Sequence, residues 1–253
     1  MAAQSDPLFI LRVLIAKDFK VRYRNMSLGI FWSLVNPLVM MSVLTFVFTQ
    51  LMPSGRDKFA LFVLVGLLPY NFFTLAWQCG TTSIIDNSSL VNKIPFQRAL
   101  LPVAVVFANA IHYLIQLSLL LLAAAIFVGV NQYWLWLPLV VLAQIIFVCG
   151  VVLTTCALDV FIRDIRYVVE SACLVLFWML PIFYGFEAIG PKWAWLYEIN
   201  PLAAVILIMR AILLEGAAPM PTTILKLVSI TLIVLAVGLG TFSRLQRRFS
   251  DYL

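Results

Sequence analysis

Asp18-Phe19-Lys20-Val21-Arg22-Tyr23-Arg24-Asn25-Met26-Ser27-Leu28-Gly29, followed by Trp32 and Asn36-Pro37, is the junction on which the rest of the chain is organised. Lys20, Arg22 and Arg24, with Tyr23 among them, abut an apolar run from Leu28 to Leu51, long enough to cross a bilayer. Lys and Arg beside a span stay on the cytoplasmic side, so this junction predicts an inside amino terminus from which later spans alternate. No apolar run has the basic start and small-residue cleavage site of a signal peptide, so Leu28–Leu51 is read as a retained span.

Working outward, the composition agrees. The 253 residues are 64% hydrophobic and 11% charged, with a mean hydropathy of +1.05. A water-soluble domain cannot hide that much apolar surface. The expected class is an all-α membrane protein of about six spans joined by short loops. The net charge of +6 sits beside spans, where topology and anionic headgroups place it; no nucleic-acid partner is expected.

Upstream of the junction, Leu8, Leu11, Ile15, Phe19 and Arg22-Tyr23 recur at helical spacing, with Arg12, Lys17, Lys20 and Arg24 on the other face. This predicts an amphipathic interfacial helix over residues 8–24, with Pro7 at its first turn. Downstream, spans are expected at Phe59–Ile85, Val103–Val128, Leu137–Leu158, Val168–Tyr184 and Thr222–Phe242. Pro37 and Pro69 fall inside spans and predict kinks. His112 lies near the middle of the third span; it is either a neutral histidine bonded to a neighbouring helix or a functional group.

Residues 86–102 return inside. Ser88 or Ser89 caps a short helix there, and Pro95 and Pro102 punctuate it. The segment mixes Asn92, Lys93, Gln97 and Arg98 with Leu90, Val91, Ile94 and Phe96, which suits either docking into a partner's groove or packing on headgroups. Asp159 and Arg163 are spaced for a helical i,i+4 pair. Residues 185–221 hold Glu187, Trp193, Trp195, Tyr197, Glu198 and Asn200-Pro201, then an apolar run Leu202–Leu214 too short to span, as in a re-entrant or interfacial helix. The basic tail is inside. Twelve Lys and Arg then fall inside against five outside, which favours this orientation, with both termini cytoplasmic.

Cys79, Cys149, Cys156 and Cys173 lie in or beside apolar runs without a Cys-x-x-Cys pair and read as small packing residues, with no disulfide and no metal. No nucleotide-binding loop, zinc motif or nucleophile elbow is present, so no active site or energy source is visible. A transporter with this inventory runs on a gradient or borrows a motor; a membrane enzyme acting on lipid-linked sugars and a gradient-driven carrier are the competing readings.

The stretch from Asp18 to Pro37, containing Lys20, Arg22-Tyr23-Arg24, Ser27-Leu28-Gly29, Trp32-Ser33 and Asn36-Pro37, resembles the opening signature of ABC-2 type permeases that export polysaccharides such as O-antigen, capsule and teichoic acid. Leu90-Val91-Asn92-Lys93-Ile94-Pro95-Phe96 is similar to their first cytoplasmic loop, and Ile199-Asn200-Pro201-Leu202 to their last outer loop. The resemblance covers essentially the whole chain as one permease domain. It implies a homodimer of six-span subunits in a bacterial inner membrane, moving a lipid-linked polysaccharide. Two separate ATPase subunits would bind ATP and Mg; this chain would hold no cofactor. It further implies that Arg22, Tyr23, Arg24, Lys93, Phe96 and Arg98 face the ATPase. Glu187, Trp193, Tyr197, Asn200 and Pro201 then belong to a re-entrant outer gate. Sugar rings pack their C–H faces on aromatic rings while their hydroxyls need polar partners. On that basis Trp32, Ser33, Asn36, Phe177, Trp178, Phe183 and Tyr184 are expected to line the path.

Overall fold

The computed structural model describes residues 6–22, 31–51, 58–93, 96–186 and 189–252. The described residues are helices and their connections. They run α1 (Pro7–Arg22), α2 (Phe31–Phe46, continued by a π-helical turn Val47–Leu51), α3 (Phe59–Asp86), α4 (Ser88–Lys93), α5 (Leu100–Phe127) and α6 (Leu137–Asp159). Then come α7 (Ile165–Met179), α8 (Ala194–Ile199), α9 (Pro201–Leu213) and α10 (Pro221–Leu245), with short 3-10 turns at Gln132–Trp136, Pro191–Trp193 and Gln246–Asp251.

Among the described residues, four helical stretches are long and apolar enough to cross a membrane: Phe59–Asp86, Leu100–Phe127, Gln132–Asp159 and Pro221–Phe249. The two other expected spans are shorter helices here. α2 and its π turn stop at Leu51, and residues 23–30, where that span was to begin, lie outside the described residues. α7 has 15 residues and ends at Met179, five residues before the expected end. The cause is Pro181. Its ring disfavours helical backbone at the residue before it, and Leu180 is extended at φ −75° and ψ 145°. Phe183 and Tyr184 therefore lie in a non-helical segment.

α3 is the central helix, packed on α2, α5, α6, α7 and α9. Pro69 sits within it, and the fully buried Gln144 of α6 donates Nε2–H to the Pro69 carbonyl at 2.8 Å. That bond ties α6 to α3 at the proline and gives the buried Gln144 amide a partner.

α10 lies along α6 through a glycine pair. A Cβ on Gly150 would come within 2.7 Å of the Val234 carbonyl and the Leu235 nitrogen, and one on Gly238 would strike the Gly150 carbonyl. Small residues that let backbones touch are how helices associate where lipid removes the hydrophobic drive.

Two apolar clusters form the interior. The larger joins α3, α5, α6 and α9. The smaller gathers Leu14, Ile84, Val91, Leu101, Leu153, Val160, Phe242 and Phe249 at the end of the bundle that carries Arg98, Arg163, Arg166 and Arg247. Its keystone is Phe249 in the tail, 0% exposed, against Phe161 and Phe242 at ring distances of 6.0 and 5.6 Å.

Two local expectations change. α4 begins at Ser88 directly after Asn87, whose side chain bonds the Ser83 carbonyl and accepts from Lys17, so both serines are already inside the helix. Asp159 pairs with Arg166 at 3.5 Å rather than with Arg163. α6 ends at Asp159, so Arg163 lies beyond the helix and the i,i+4 spacing no longer places the two on one helical face. α9 is buried along most of its length against α3, α6 and α10.

Candidate functional site

The break after α7 collects aromatic rings. Phe183 is at its centre, 5.3 Å from Phe48 of the π turn, 6.0 Å from Phe177 and 5.5 Å from Trp178. Phe177 also meets Tyr70 of α3 at 5.4 Å. Tyr184 Oη donates to the Met179 carbonyl at 2.6 Å, an otherwise orphaned acceptor of a helix end, and lies 3.2 Å from Tyr197 Oη, which donates to it. Tyr197 in turn meets Phe186 edge-on at 6.3 Å. One continuous aromatic surface thus joins the end of α7 to α8. Trp178 is its open edge, 62% exposed.

A buried cation anchors this surface. Arg210, in the third turn of α9, is 4% exposed. Its Nη2 donates to the carbonyls of Ile182 at 2.7 Å and Phe62 at 3.4 Å, and its Nη1 to Tyr184 at 3.3 Å. The guanidinium carbon stands 3.5 Å from the Phe62 ring centroid. A planar fork with five donors suits a broken helix, which leaves several carbonyls pointing one way. Beside it opens a cavity of about 580 Å³ bounded by Tyr197, Arg210, Glu215, Thr222, Thr223 and Lys226.

α9 starts as the Asn-Pro signal suggests. Asn200 Oδ1 accepts from the Leu202 amide at 3.0 Å, and Pro201 occupies the first turn. Its other end is closed by Asn131, which donates to the Ile212 carbonyl at 2.8 Å, and by Gly216 at φ 62°, where the chain reverses.

The structure thus brings together Phe177, Trp178, Phe183, Tyr184 and Tyr197, while Asn200 and Pro201 open the helix carrying Arg210. Trp193 is exposed beside Lys192, whose ammonium is 5.4 Å from its ring. Trp32, Ser33 and Asn36 come before Phe48 in the chain. They lie on the first turns of α2, and Asn36 is about 18 Å along the helix from Phe48. Glu187, Tyr23 and Arg24 lie outside the described residues; Arg22 closes α1 and Lys93 closes α4.

At the basic end, Phe96 is half-buried against the smaller cluster. Arg98 Nη1 donates to the Gln246 carbonyl at 2.8 Å and its guanidinium lies 6.0 Å from the Phe249 ring. Arg98 therefore ties the loop to the carboxyl-terminal tail. His112 is buried in α5, stacked on Phe19 of α1 at 4.6 Å. Sequence reasoning missed Arg210, Phe48, Phe62 and Tyr70 as members of the site. A lone arginine inside an apolar run was the available signal.

Comparison with known proteins places this geometry. The family described as "ABC-2 type transporter" matches residues 10–214. An O-antigen export system permease protein RfbA from Klebsiella pneumoniae is 30% identical over 247 residues, covering 96% of this chain and 95% of that protein. One from Myxococcus xanthus is 27% identical, covering 96% and 94%. A polysialic acid transport protein KpsM from Escherichia coli is 22% identical, covering 92% of each. With four long apolar helices and a family match over most of its length, the chain is a multi-pass membrane protein of the ABC-2 type transporter family.

Proposed function

We propose that this chain is the transmembrane permease subunit of an ABC exporter that moves a lipid-linked polysaccharide across a bacterial inner membrane. The observation that carries this is end-to-end similarity to permeases named for O-antigen export. The geometry agrees with it. A helix broken at Pro181 presents flat rings and sparse hydroxyls, which suit sugar faces without a tight charged site to stall a moving chain. Two such chains form a homodimer with two ATPase subunits, which supply hydrolysis of ATP with Mg; this chain performs no chemistry. It is one permease domain over residues 1–253. Residues 8–24 lie at the interface, residues 86–102 face the ATPase with Arg22, Tyr23, Arg24, Lys93, Phe96 and Arg98, and residues 185–221 form a re-entrant outer gate. Six spans then include α2 and α7.

The function is tested by deleting the gene and complementing it. Deletion should remove long-chain surface glycan and leave lipid-linked glycan inside; the parental gene should restore export. Complementation with Trp32, Asn36, Trp178 and Tyr184 all changed to Leu keeps bulk but removes flat faces and polar handles. Surface glycan on immunoblot should fall at least about tenfold with permease level unchanged, one aromatic platform being worth about 1–3 kcal/mol by analogy with base stacking. Export at the parental rate would place the path elsewhere.

Both termini are inside in this reading. Single cysteines in place of Ser54 and Ser250 check it, in a variant whose native cysteines are replaced by Ala. An impermeant maleimide should label the first in intact cells and the second only after lysis. Labelling of the second from outside would overturn the orientation.

A further inference from the structure

We infer that Arg210 is a positioning residue of transport: it fastens the aromatic segment 180–185 to α3 and α9, and so holds the outer end of the permease shut. Three elements meet at its guanidinium. The Ile182 and Tyr184 carbonyls come from the break after α7, the Phe62 carbonyl and ring from α3, and the arginine itself from α9. Gly66 makes the meeting possible. A Cβ there would stand 3.1 Å from Ile182 Cα and 3.3 Å from Arg210 Nη2, so a side chain would press the broken backbone and the guanidinium away from α3 by a few tenths of an ångström or more.

What hangs on this anchor is the aromatic surface. Phe183 and Tyr184 belong to the fastened segment, and Tyr184 carries the link to Tyr197. α9 follows Tyr197 through Asn200-Pro201, so Arg210 reaches back across the outer region and joins its two halves. A backbone stretch outside a helix, at membrane depth, persists only when buried groups satisfy it, and its freedom to move is set by the bonds that hold it. Drawing α9 away from both α3 and the segment 180–185 breaks the three carbonyl bonds together and frees Phe183 and Tyr184 to leave the interior. That gives a held and a released arrangement of the segment. The inference rests on the proposed reading in taking this end as the outer one and the passage behind these rings as a solute path.

The test uses the full-length chain, purified and reconstituted in phosphatidylethanolamine–phosphatidylglycerol vesicles loaded with carboxyfluorescein. Parental vesicles should retain dye like empty ones. Arg210→Met keeps the volume and removes the donors; dye efflux should rise by about tenfold or more, roughly the worth of one charge-assisted hydrogen bond in an opening equilibrium. Arg210→Lys, which keeps a buried cation and some donors, should restore much of the seal. Gly66→Val keeps the arginine in the chain but crowds both Ile182 and the Arg210 guanidinium, and should leak like Arg210→Met. Leak from both variants with lysine rescue is a result that loss of stability alone does not produce. Folded variants as tight as the parent would overturn the inference. So would failure of both Arg210→Met and Gly66→Val to accumulate, which would make Arg210 a folding residue only. If the leak appears but gene deletion leaves surface glycan unchanged, the export reading fails and the seal stands.

Discussion

Gly238→Leu should leave almost no folded permease in the membrane. The reason is geometric. A Cβ at this position runs into the Gly150 carbonyl, and one at Gly150 into the Val234 and Leu235 backbone. A side chain in the way can rotate, but a carbonyl on a helix can move only with its helix. α6 and α10 would have to separate along their contact, losing the packing of Phe242 and Thr231 as well. Overpacking in a core commonly costs about 1–3 kcal/mol, and an obstacle made of backbone belongs at or above the top of that range. Proteins are stable by only about 5–15 kcal/mol, so such a clash is expected to be decisive. Gly150→Leu should behave alike. Gly240→Ala is the control, because nothing lies within 4 Å of its added methyl, and it should accumulate at the parental level. Membrane fractions probed for the permease, with size-exclusion profiles in detergent, read the outcome. Normal accumulation of Gly238→Leu would mean that α6 and α10 do not cross at this pair.

Phe249→Ala should abolish export while Arg98→Ala adds nothing further to it. Phe249 is the most enclosed ring of the basic end, closed in by Phe161, Phe242 and the Arg98 guanidinium. Its removal leaves a hole costing about 3–5 kcal/mol. The tail that Arg98 holds through the Gln246 carbonyl then comes away. Because the two residues act through one contact, their effects should be non-additive in a double-mutant cycle. The measurements are surface glycan in cells, and ATPase co-purification with the permease. Both should fall in either single variant if the tail braces the 86–102 loop against the ATPase. Export at the parental rate in Phe249→Ala would show that the tail is dispensable. Additive losses would separate Arg98 from the tail and return it to direct contact with a partner.

The aromatic site was half visible before any coordinates. Phe177, Trp178, Phe183 and Tyr184 are close in sequence, so their grouping follows from proximity in the chain. Tyr197, Phe48 and Tyr70 joined them only through packing. Trp32, Ser33 and Asn36 were grouped with the path for their mix of an aromatic ring with polar groups and for the place of that span in the resembled family; they lie on the first turns of α2, with Asn36 about 18 Å along the helix from Phe48. Arg98 was expected to face the ATPase, from its place in an amphipathic loop and from the resemblance; its bond to the Gln246 carbonyl spans 148 residues, a distance over which spacing carries no information.

The sequence by itself determined the solvent of this protein and most of its long helices. Transfer of apolar side chains is a sum over residues along the chain, so hydropathy reveals α3, α5, α6 and α10 without knowledge of their neighbours. It also determined local punctuation, because Asn200-Pro201 and Pro181 act on their own backbone within a few residues. Only the tertiary structure decided which carbonyls Arg210 would meet, that Gly150 and Gly238 would touch, and that Asp159 would turn to Arg166. Those outcomes depend on the spacing of backbones brought together from distant parts of the chain. A buried charge or a missing Cβ takes its meaning from the atoms opposite it.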